Sequence, residues 1–91
     1  MTLKQIECFL HLSENLNFAR TADELFISQP AVSREIKALE TELGVTLFIR
    51  TKRSVTLTPA GSCLKVDLGS LYSSINDAVT KARNAQKNFY Q

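Results

Sequence analysis

Residues 18–43 read FARTADELFISQPAVSREIKALETEL, and they predict two helices with a short break at residues 26–28. Ser28 is suited to N-cap the second helix, and Pro30 is tolerated in its first turn. Apolar residues then recur at spacings of 4, 3 and 4, which predicts one buried stripe of Val32, Ile36, Leu39 and Leu43. A short helix, a tight turn and a second helix are typical of a helix-turn-helix.

The opposite face of the second helix is polar and basic. Gln29, Ser33 and Lys37 follow one another at i, i+4 and i+8, and Arg34 lies beside them. Side chains of these types bond base edges or hold phosphates. The face therefore predicts a DNA-binding module whose partner is double-stranded DNA.

Two shorter helices are predicted on the N-terminal side of this helix. The first runs from Thr2, its N-cap, to about Asn15, and Asn17 caps the next, which ends near Leu25. The expected buried face of the first helix is Leu3, Ile6, Phe9 and Leu10, with Leu12 on the flank. The expected inward residues of the next helix are Phe18, Ala22 and either Leu25 or Phe26.

After Gly44, the expected left-handed C-cap of the third helix, the apolar pattern changes to a period of two. Val45, Leu47 and Ile49 alternate with other residues, and Val55 and Leu57 do the same after the polar segment 50–53. The pattern predicts a small two-stranded hairpin, a wing with a basic tip, which must pack on the helices because an isolated hairpin is marginally stable.

Thr58 and Pro59 predict the start of a long fourth helix, with Thr58 as N-cap. Its apolar residues form a heptad seam, Leu64, Leu68, Leu71, Ile75, Ala78, Ala82, Ala85 and Phe89. A helix to about residue 88 is about 45 Å long, too long for this domain to cover alone. The seam therefore predicts a homodimer, with residues 1–58 as the winged domain and residues 59–91 as the dimerisation helix.

Composition agrees with a small DNA-binding domain. Ninety-one residues suggest one domain, and the net charge of +2 is unevenly distributed. Residues 28–58 hold five basic against three acidic side chains, three of the basic ones within residues 50–53. Neither a membrane-spanning stretch nor a secretion signal is recognisable, so we expect a cytoplasmic protein with reduced cysteines.

The stretch from residue 18 to residue 61, ending TLTPAG, closely resembles the N-terminal domain of LysR-type transcriptional regulators. The shared features include Phe18, Ala22, Leu25, the Ser28-Gln29-Pro30 block, Ser33-Arg34, Ile36, Leu39-Glu40, Glu42-Leu43-Gly44, Leu47-Phe48, Arg50-Thr51 and Leu57-Thr58-Pro59-Ala60-Gly61. The resemblance covers residues 1 to about 65 in detail. Three residues depart from the usual family pattern, Cys8, Thr21 and Ile49.

This resemblance implies a mainly α fold, a winged helix-turn-helix followed by a long linker helix that pairs two subunits. It also implies an effector-binding domain of about 200 residues that responds to a small co-inducer. That domain is absent from the 91 residues, which look like an excised DNA-binding fragment, with a natural truncation as the alternative. Full-length members of the family often form tetramers. No cofactor is expected in the fragment itself.

Each polar residue of the third helix has a DNA role and a structural alternative. Gln29 can pair with adenine or another base edge, or cap the helix start. Pro30 can touch a thymine methyl or only set the helix start. Ser33 and Arg34 lie one turn further on, where Arg34 reads guanine or holds a phosphate. Lys37 is a phosphate candidate or an ordinary solvated lysine.

The wing cations are expected on phosphates or in the flanking minor groove. Lys52 and Arg53 are assigned this role, whereas Arg50 either does the same or locks the wing by bonding a helix carboxylate. Ser28 is mainly a cap, although a helix N-terminus can also hold a phosphate. Arg20, on the first helix of the motif, is a weaker phosphate candidate.

Cys8, His11 and Cys63 do not predict a metal or redox site, because there is no CxxC and no fourth ligand. They are expected to be structural residues. A lone histidine and the lack of a nucleophile or phosphate-loop motif predict that the chain is not an enzyme. The rival interpretation, a protein-interaction module on a winged-helix scaffold, predicts an apolar or acidic outer face. The basic outer face disfavours it.

Overall fold

The computed structural model describes residues 1–89, which form three helices, a hairpin and a long fourth helix. The elements are α1 (Leu3–Asn15), α2 (Phe18–Leu25), α3 (Gln29–Leu43), β1 (Phe48–Arg50), β2 (Val55–Leu57) and α4 (Pro59–Phe89). The predicted mainly α winged architecture is confirmed; residues 90 and 91 of the predicted dimerisation helix lie outside the described residues. None of these four helices combines the length and apolar composition of a membrane span.

The helices begin and end where the capping residues predict. The Thr2 side chain accepts from the Gln5 amide in a capping box, and the Asn17 side chain accepts from the Arg20 amide. Gly44 ends α3 with a φ of 69°, which glycine adopts without steric cost. These are local hydrogen bonds, so the sequence alone locates them.

The first three helices pack pairwise around one core that also takes in the wing and α4. The rings of Phe9 on α1 and Phe48 on β1 are tilted at 57° with centroids 5.7 Å apart, which joins the wing to the helices. The largest fully buried side chains are Phe9, Leu12, Leu39, Leu47, Val32, Thr21 and Cys8.

Three assignments to the buried helix faces were wrong. Leu12, placed on the flank of α1, is fully buried because it follows Phe9 by three residues and lies on the same face. Leu3 and Leu43 were placed in the core, but they are 54% and 38% exposed. Leu3 is the first residue of α1 and Leu43 the last of α3, and both helix ends extend beyond the packed core.

The wing pairs antiparallel, with Phe48 opposite Leu57. The predicted alternation through Val45, Leu47 and Ile49 was wrong, because Leu47 and Phe48 are buried in succession while Ile49 is 55% exposed. The strand begins only at Phe48, and a period of two applies only within a strand. Just before it, the Glu40 carboxylate accepts from the amides of Leu47 at 2.7 Å and Phe48 at 3.3 Å.

Thr58 connects the wing to α4 as the predicted N-cap. Its Oγ1 accepts from the Gly61 amide at 3.0 Å and donates to the Thr46 carbonyl at 2.5 Å. Its own amide donates to the Leu47 carbonyl at 3.0 Å. The start of α4 is therefore hydrogen-bonded to the segment that precedes β1, and these bonds fix the position of α4 relative to the wing.

The first half of α4 packs on the core of this chain. Leu68, predicted in the dimer seam, is 4% exposed and packs in the intrachain core, with Leu64 and Tyr72 partly buried against it. The seam prediction is corrected at Leu68 because α1 lies against that side of α4. Every residue from Asn76 to Phe89 is exposed, so the second half of α4 extends away from the domain.

Phe26 resolves the alternative left open at the end of α2, since Leu25 packs on the core and Phe26 is 95% exposed. Its backbone is left-handed, with a φ of 58°, which is costly for a bulky residue.

We expect Phe26→Asn to raise the free energy of unfolding by about 0.5–1 kcal/mol, because asparagine tolerates this conformation and little buried area is lost. Urea denaturation tests this, and an equal gain in Phe26→Ala would contradict the backbone explanation.

Candidate nucleic-acid interface

The outer face of α3 is set by its buried side. Val32, Ile36 and Leu39 are buried against the other helices, so the polar residues point away from the core. Ser33 is half-buried, and the other predicted contact residues of the helix are exposed: Gln29, Pro30, Arg34 and Lys37. The structure thus presents the predicted set on one accessible helix face.

Ser28 performs the predicted capping role. Its Oγ accepts from the Ala31 amide at 3.2 Å, and the residue itself is exposed. The first turn of α3, which contains Gln29 and Pro30, is therefore capped by a side-chain hydrogen bond. This end of a helix carries partial positive charge and favours an anion such as a phosphate.

The tip of the wing is organised by hydroxyl groups. Thr51 Oγ1 accepts from the amides of Arg53 at 3.3 Å and Ser54 at 3.1 Å, and the Thr51 amide donates to the Ser54 carbonyl at 2.8 Å. These bonds hold the backbone at Arg53, while the side chains of Lys52 and Arg53 stay exposed. Sequence reasoning did not predict that Thr51 and Ser54 close this turn. Hydroxyl residues on either side of two basic residues were the signal that could have indicated it.

Arg50 joins the wing to both helices of the motif. Its Nη1 donates to Ser33 Oγ on α3 at 3.1 Å, and its guanidinium carbon lies 4.0 Å from the centroid of the Phe18 ring on α2. The predicted alternative, a bond to a helix carboxylate, is replaced by the Ser33 hydroxyl. The nearby Glu40 carboxylate is already occupied by backbone amides. Phe18 was predicted only as a core residue and is also the platform for Arg50.

Electrostatics favour an anionic partner at this surface. Of the three carboxylates in residues 28–58, Glu40 bonds amides and Glu42 lies 2.8 Å from the N-terminal amine of Met1. The five basic side chains of the same segment are exposed. Five exposed basic side chains against three carboxylates leave residues 28–58 with a net positive charge, which attracts an anionic partner.

Arg20 lies on α2 in a separate charged network. Its Nε donates to Glu24 at 3.2 Å, and His11 Nδ1 lies 2.9 Å from the other oxygen of that carboxylate. The hydrogen bond with His11, followed by that from Arg20, holds the pKa of Glu24 below its usual value. The Arg20 side chain remains 68% exposed, but its charge is paired, which fits a weaker phosphate contact.

The two cysteines and His11 lie in different environments. Cys8 is fully buried, and burial is the main cause that raises the pKa of its thiol to about 11. Cys63 is exposed rather than buried as a small apolar residue. Within residues 1–89 no group of three His, Cys, Asp or Glu side chains is arranged to hold a metal ion. Cys8 is therefore a protonated core residue at neutral pH.

Comparison with known sequences adds a family match to this geometry. Residues 3–62 match the model described as a bacterial regulatory helix-turn-helix protein of the lysR family. Over 80 residues, 88% of this chain, the sequence is 41% identical to YnfL, an uncharacterised HTH-type transcriptional regulator of Escherichia coli K12. The match covers 27% of YnfL, so the chain spans about a quarter of the length of this relative.

Solved structures resemble the chain over almost its whole length. The BenM DBD in complex with catB site 1 DNA superposes with a TM-score of 0.87 at 34% identity, covering 93% of this chain and 96% of that one. Full-length CbnR complexed with its target DNA gives a TM-score of 0.84 at 32% identity, covering 91% of this chain and 29% of CbnR.

Proposed function

Because the chain belongs to the LysR family of bacterial helix-turn-helix regulators, we propose that it binds double-stranded DNA sequence-specifically as a homodimer. α3 enters the major groove, and the wing lies on the flanking backbone or in the minor groove. The observation that carries this proposal is the exposed polar face of α3, joined by Arg50 to a basic wing tip. Two similar structures contain DNA, which supports the same conclusion.

The residues of α3 divide into base readers and phosphate contacts. Gln29, in the first turn, pairs with adenine or another base edge, and Arg34 reads guanine or holds a phosphate. Pro30 sets the helix start and contacts a thymine methyl. Ser33 contacts a base edge, and Lys37 contacts a phosphate. Their shared exposed face supports this assignment.

The wing adds affinity more than sequence preference. Lys52 and Arg53 extend from a hydrogen-bonded turn and contact phosphates or the minor groove. Ser28 caps α3, and the N-terminal end of that helix faces a DNA phosphate. Arg20 on α2 adds a weaker contact to the DNA backbone. These contacts fix the position of the domain on the duplex.

The dimer forms through the uncovered side of α4. Leu71 is 59% exposed on the predicted seam, and Ile75, Ala78 and Ala82 continue along it. An apolar groove of about 370 Å³ between the end of α3 and the start of α4 extends the same surface beside Leu64. The α4 helix of a second subunit buries this surface and relates the two subunits by a two-fold axis. The two DNA half-sites are then about one turn of the duplex, or a multiple of it, apart.

The remaining assignments follow from the same proposal. Residues 1–58 bind DNA and residues 59–91 dimerise, with no catalytic role and no cofactor. The effector-binding domain and its small-molecule co-inducer belong outside these 91 residues, as does a tetramer of a longer protein. A cytoplasmic location fits a partner that is chromosomal DNA.

The test of the proposed function is selection of bound sites from a random duplex library at moderate salt. A palindromic or T-and-A-spaced motif is expected, since a symmetric dimer reads two related half-sites. Recovery of no motif by a protein that is dimeric in solution would contradict sequence-specific binding and favour a protein-interaction module.

Arg34→Ala is expected to weaken binding to the selected site by about 10- to 100-fold and to relax base preference at one position. Arg34 is exposed on the outer face of α3, so its loss removes a contact without disturbing the core. Titration of labelled duplexes that vary one base pair at a time measures both effects. Arg83→Ala removes the same side chain from an exposed position of α4 and is the matched control. Equal affinities for the two variants would remove Arg34 from the interface.

Arg53→Ala is expected to weaken binding to all duplexes to a similar extent. It removes a phosphate contact from the wing, so the slope of log affinity against log salt falls by about one. Fluorescence anisotropy at four or more salt concentrations gives the slope for specific and random duplexes. An unchanged slope accompanied by a new base preference would show that Arg53 reads bases instead.

A further inference from the structure

Arg50 is fixed at the junction of three elements. It ends β1, its guanidinium lies over the Phe18 ring of α2 at 4.0 Å, and its Nη1 donates to Ser33 Oγ of α3 at 3.1 Å. A planar guanidinium held both by an aromatic face and by a hydroxyl has little rotational freedom. These residues border a cleft of about 200 Å³ between the wing and α3.

The charge of Arg50 is not neutralised within the chain. In the part of the structure from residue 1 to residue 89, Arg50 forms no ion pair. Glu40 borders the same cleft, but its carboxylate accepts from the amides of Leu47 and Phe48. An exposed arginine that bonds a neutral hydroxyl instead of a carboxylate keeps its full positive charge beside the recognition helix.

The bond from Arg50 determines what Ser33 can offer to a ligand. A serine hydroxyl has one proton to donate, and its oxygen can accept. Arginine only donates, so Ser33 Oγ is the acceptor in this pair. Among the described residues no acceptor for the Ser33 proton is found, whereas Ser13 and Ser74 donate to carbonyls of their own helices. One of the two lone pairs of the Ser33 oxygen is therefore occupied by a cationic donor, which polarises the hydroxyl and makes it a stronger donor and a weaker acceptor toward a ligand.

We propose that Arg50 is a positioning residue that holds Ser33 as a hydrogen-bond donor toward the DNA. This inference rests on the proposed function and deepens it, because it assigns a base-specificity role to a residue of the wing. In the major groove guanine and adenine offer N7, guanine also O6, and thymine O4, whereas cytosine offers only its N4 amino donor. Ser33 polarised as a donor therefore favours a base that offers an acceptor and disfavours cytosine at the base it contacts. A free serine donates or accepts and does not discriminate in this way.

The test compares bound-site selections for the wild type, Arg50→Met, Ser33→Ala and Lys52→Met. Lys52→Met is the matched control, because it removes one positive charge from the same wing but has no bond to α3. The wild type should disfavour cytosine at one position by about tenfold. Arg50→Met and Ser33→Ala should both reduce the preference against cytosine at that position to about twofold or less. The double variant Arg50→Met/Ser33→Ala should disfavour cytosine at this position as much as Ser33→Ala does, because the two substitutions remove the same interaction.

The outcomes separate the two proposals. If Lys52→Met and Arg50→Met weaken binding alike and both keep the wild-type base preferences, the role of Arg50 is overturned while DNA binding stands. If relaxed preference appears only in Arg50→Met and Ser33→Ala, the role of Arg50 is supported. A wild-type protein that selects no motif overturns the proposed function, and the Arg50 inference with it.

A measurement on the wild-type protein keeps the inference testable if Arg50→Met does not fold. The Arg50 Nε–H resonance should shift upfield, because the guanidinium lies over the Phe18 ring. Phe18→Leu should remove that shift. An unshifted Arg50 signal in the wild type would overturn the positioning role.

Discussion

Gly61→Ala is expected to lower the free energy of unfolding by about 3 kcal/mol, the largest stability effect we predict for one methyl group. A Cβ at this position lies 2.3 Å from the Leu47 carbonyl oxygen and 2.7 Å from Leu57 Cδ2. The carbonyl cannot withdraw easily, because it accepts from the Thr58 amide at 3.0 Å. The added methyl therefore pushes α4 away from the wing.

Gly69→Ala is the matched control for this substitution. Gly69 lies in the same helix, and a Cβ there meets nothing within 4 Å. Alanine is the better helix former, so this variant should gain about 0.5–1 kcal/mol. Urea denaturation of both variants measures the contrast, with DNA titration as a second readout because the wing moves in Gly61→Ala. Similar stabilities for the two variants would show that α4 and the wing separate without cost.

Leu71→Glu is expected to raise the dimer dissociation constant by about 100-fold, because an unpaired carboxylate is buried at the centre of the proposed seam. Leu71 is 59% exposed in the single chain, so the substitution leaves the intrachain core intact. Adding Ile75→Glu should make the chain monomeric. Sedimentation velocity over a concentration series measures the dissociation constant.

Val66→Glu is the control for the dimer prediction. Val66 is 72% exposed on α4 and lies five positions before Leu71, which places it about 140° around the helix. It adds the same charge away from the seam and should leave the dimer intact. A dimeric Leu71→Glu/Ile75→Glu variant, or equal weakening by Val66→Glu, would rule out the α4 seam as the main interface.

The helices and their first and last residues can be located from the amino-acid sequence alone. Thr2, Asn17 and Ser28 cap the helices as predicted, and Gly44 ends α3 in the left-handed conformation. A cap is made within three or four residues of the chain, so the local sequence contains all the information. The polar face of α3 followed from the same helical period and the buried stripe opposite it.

Which side chains of the wing and α4 are buried or bonded depends on contacts between elements that are far apart in the chain. Leu47 and Phe48 are both buried because this segment packs on the core formed by the helices, where Glu40 on α3 also accepts from their amides. Leu68 joins the same core because α1 packs against α4. Arg50 bonds Ser33, 17 residues away in the chain. Each of these contacts joins separate elements, and periodicity along the chain carries no information about which elements meet.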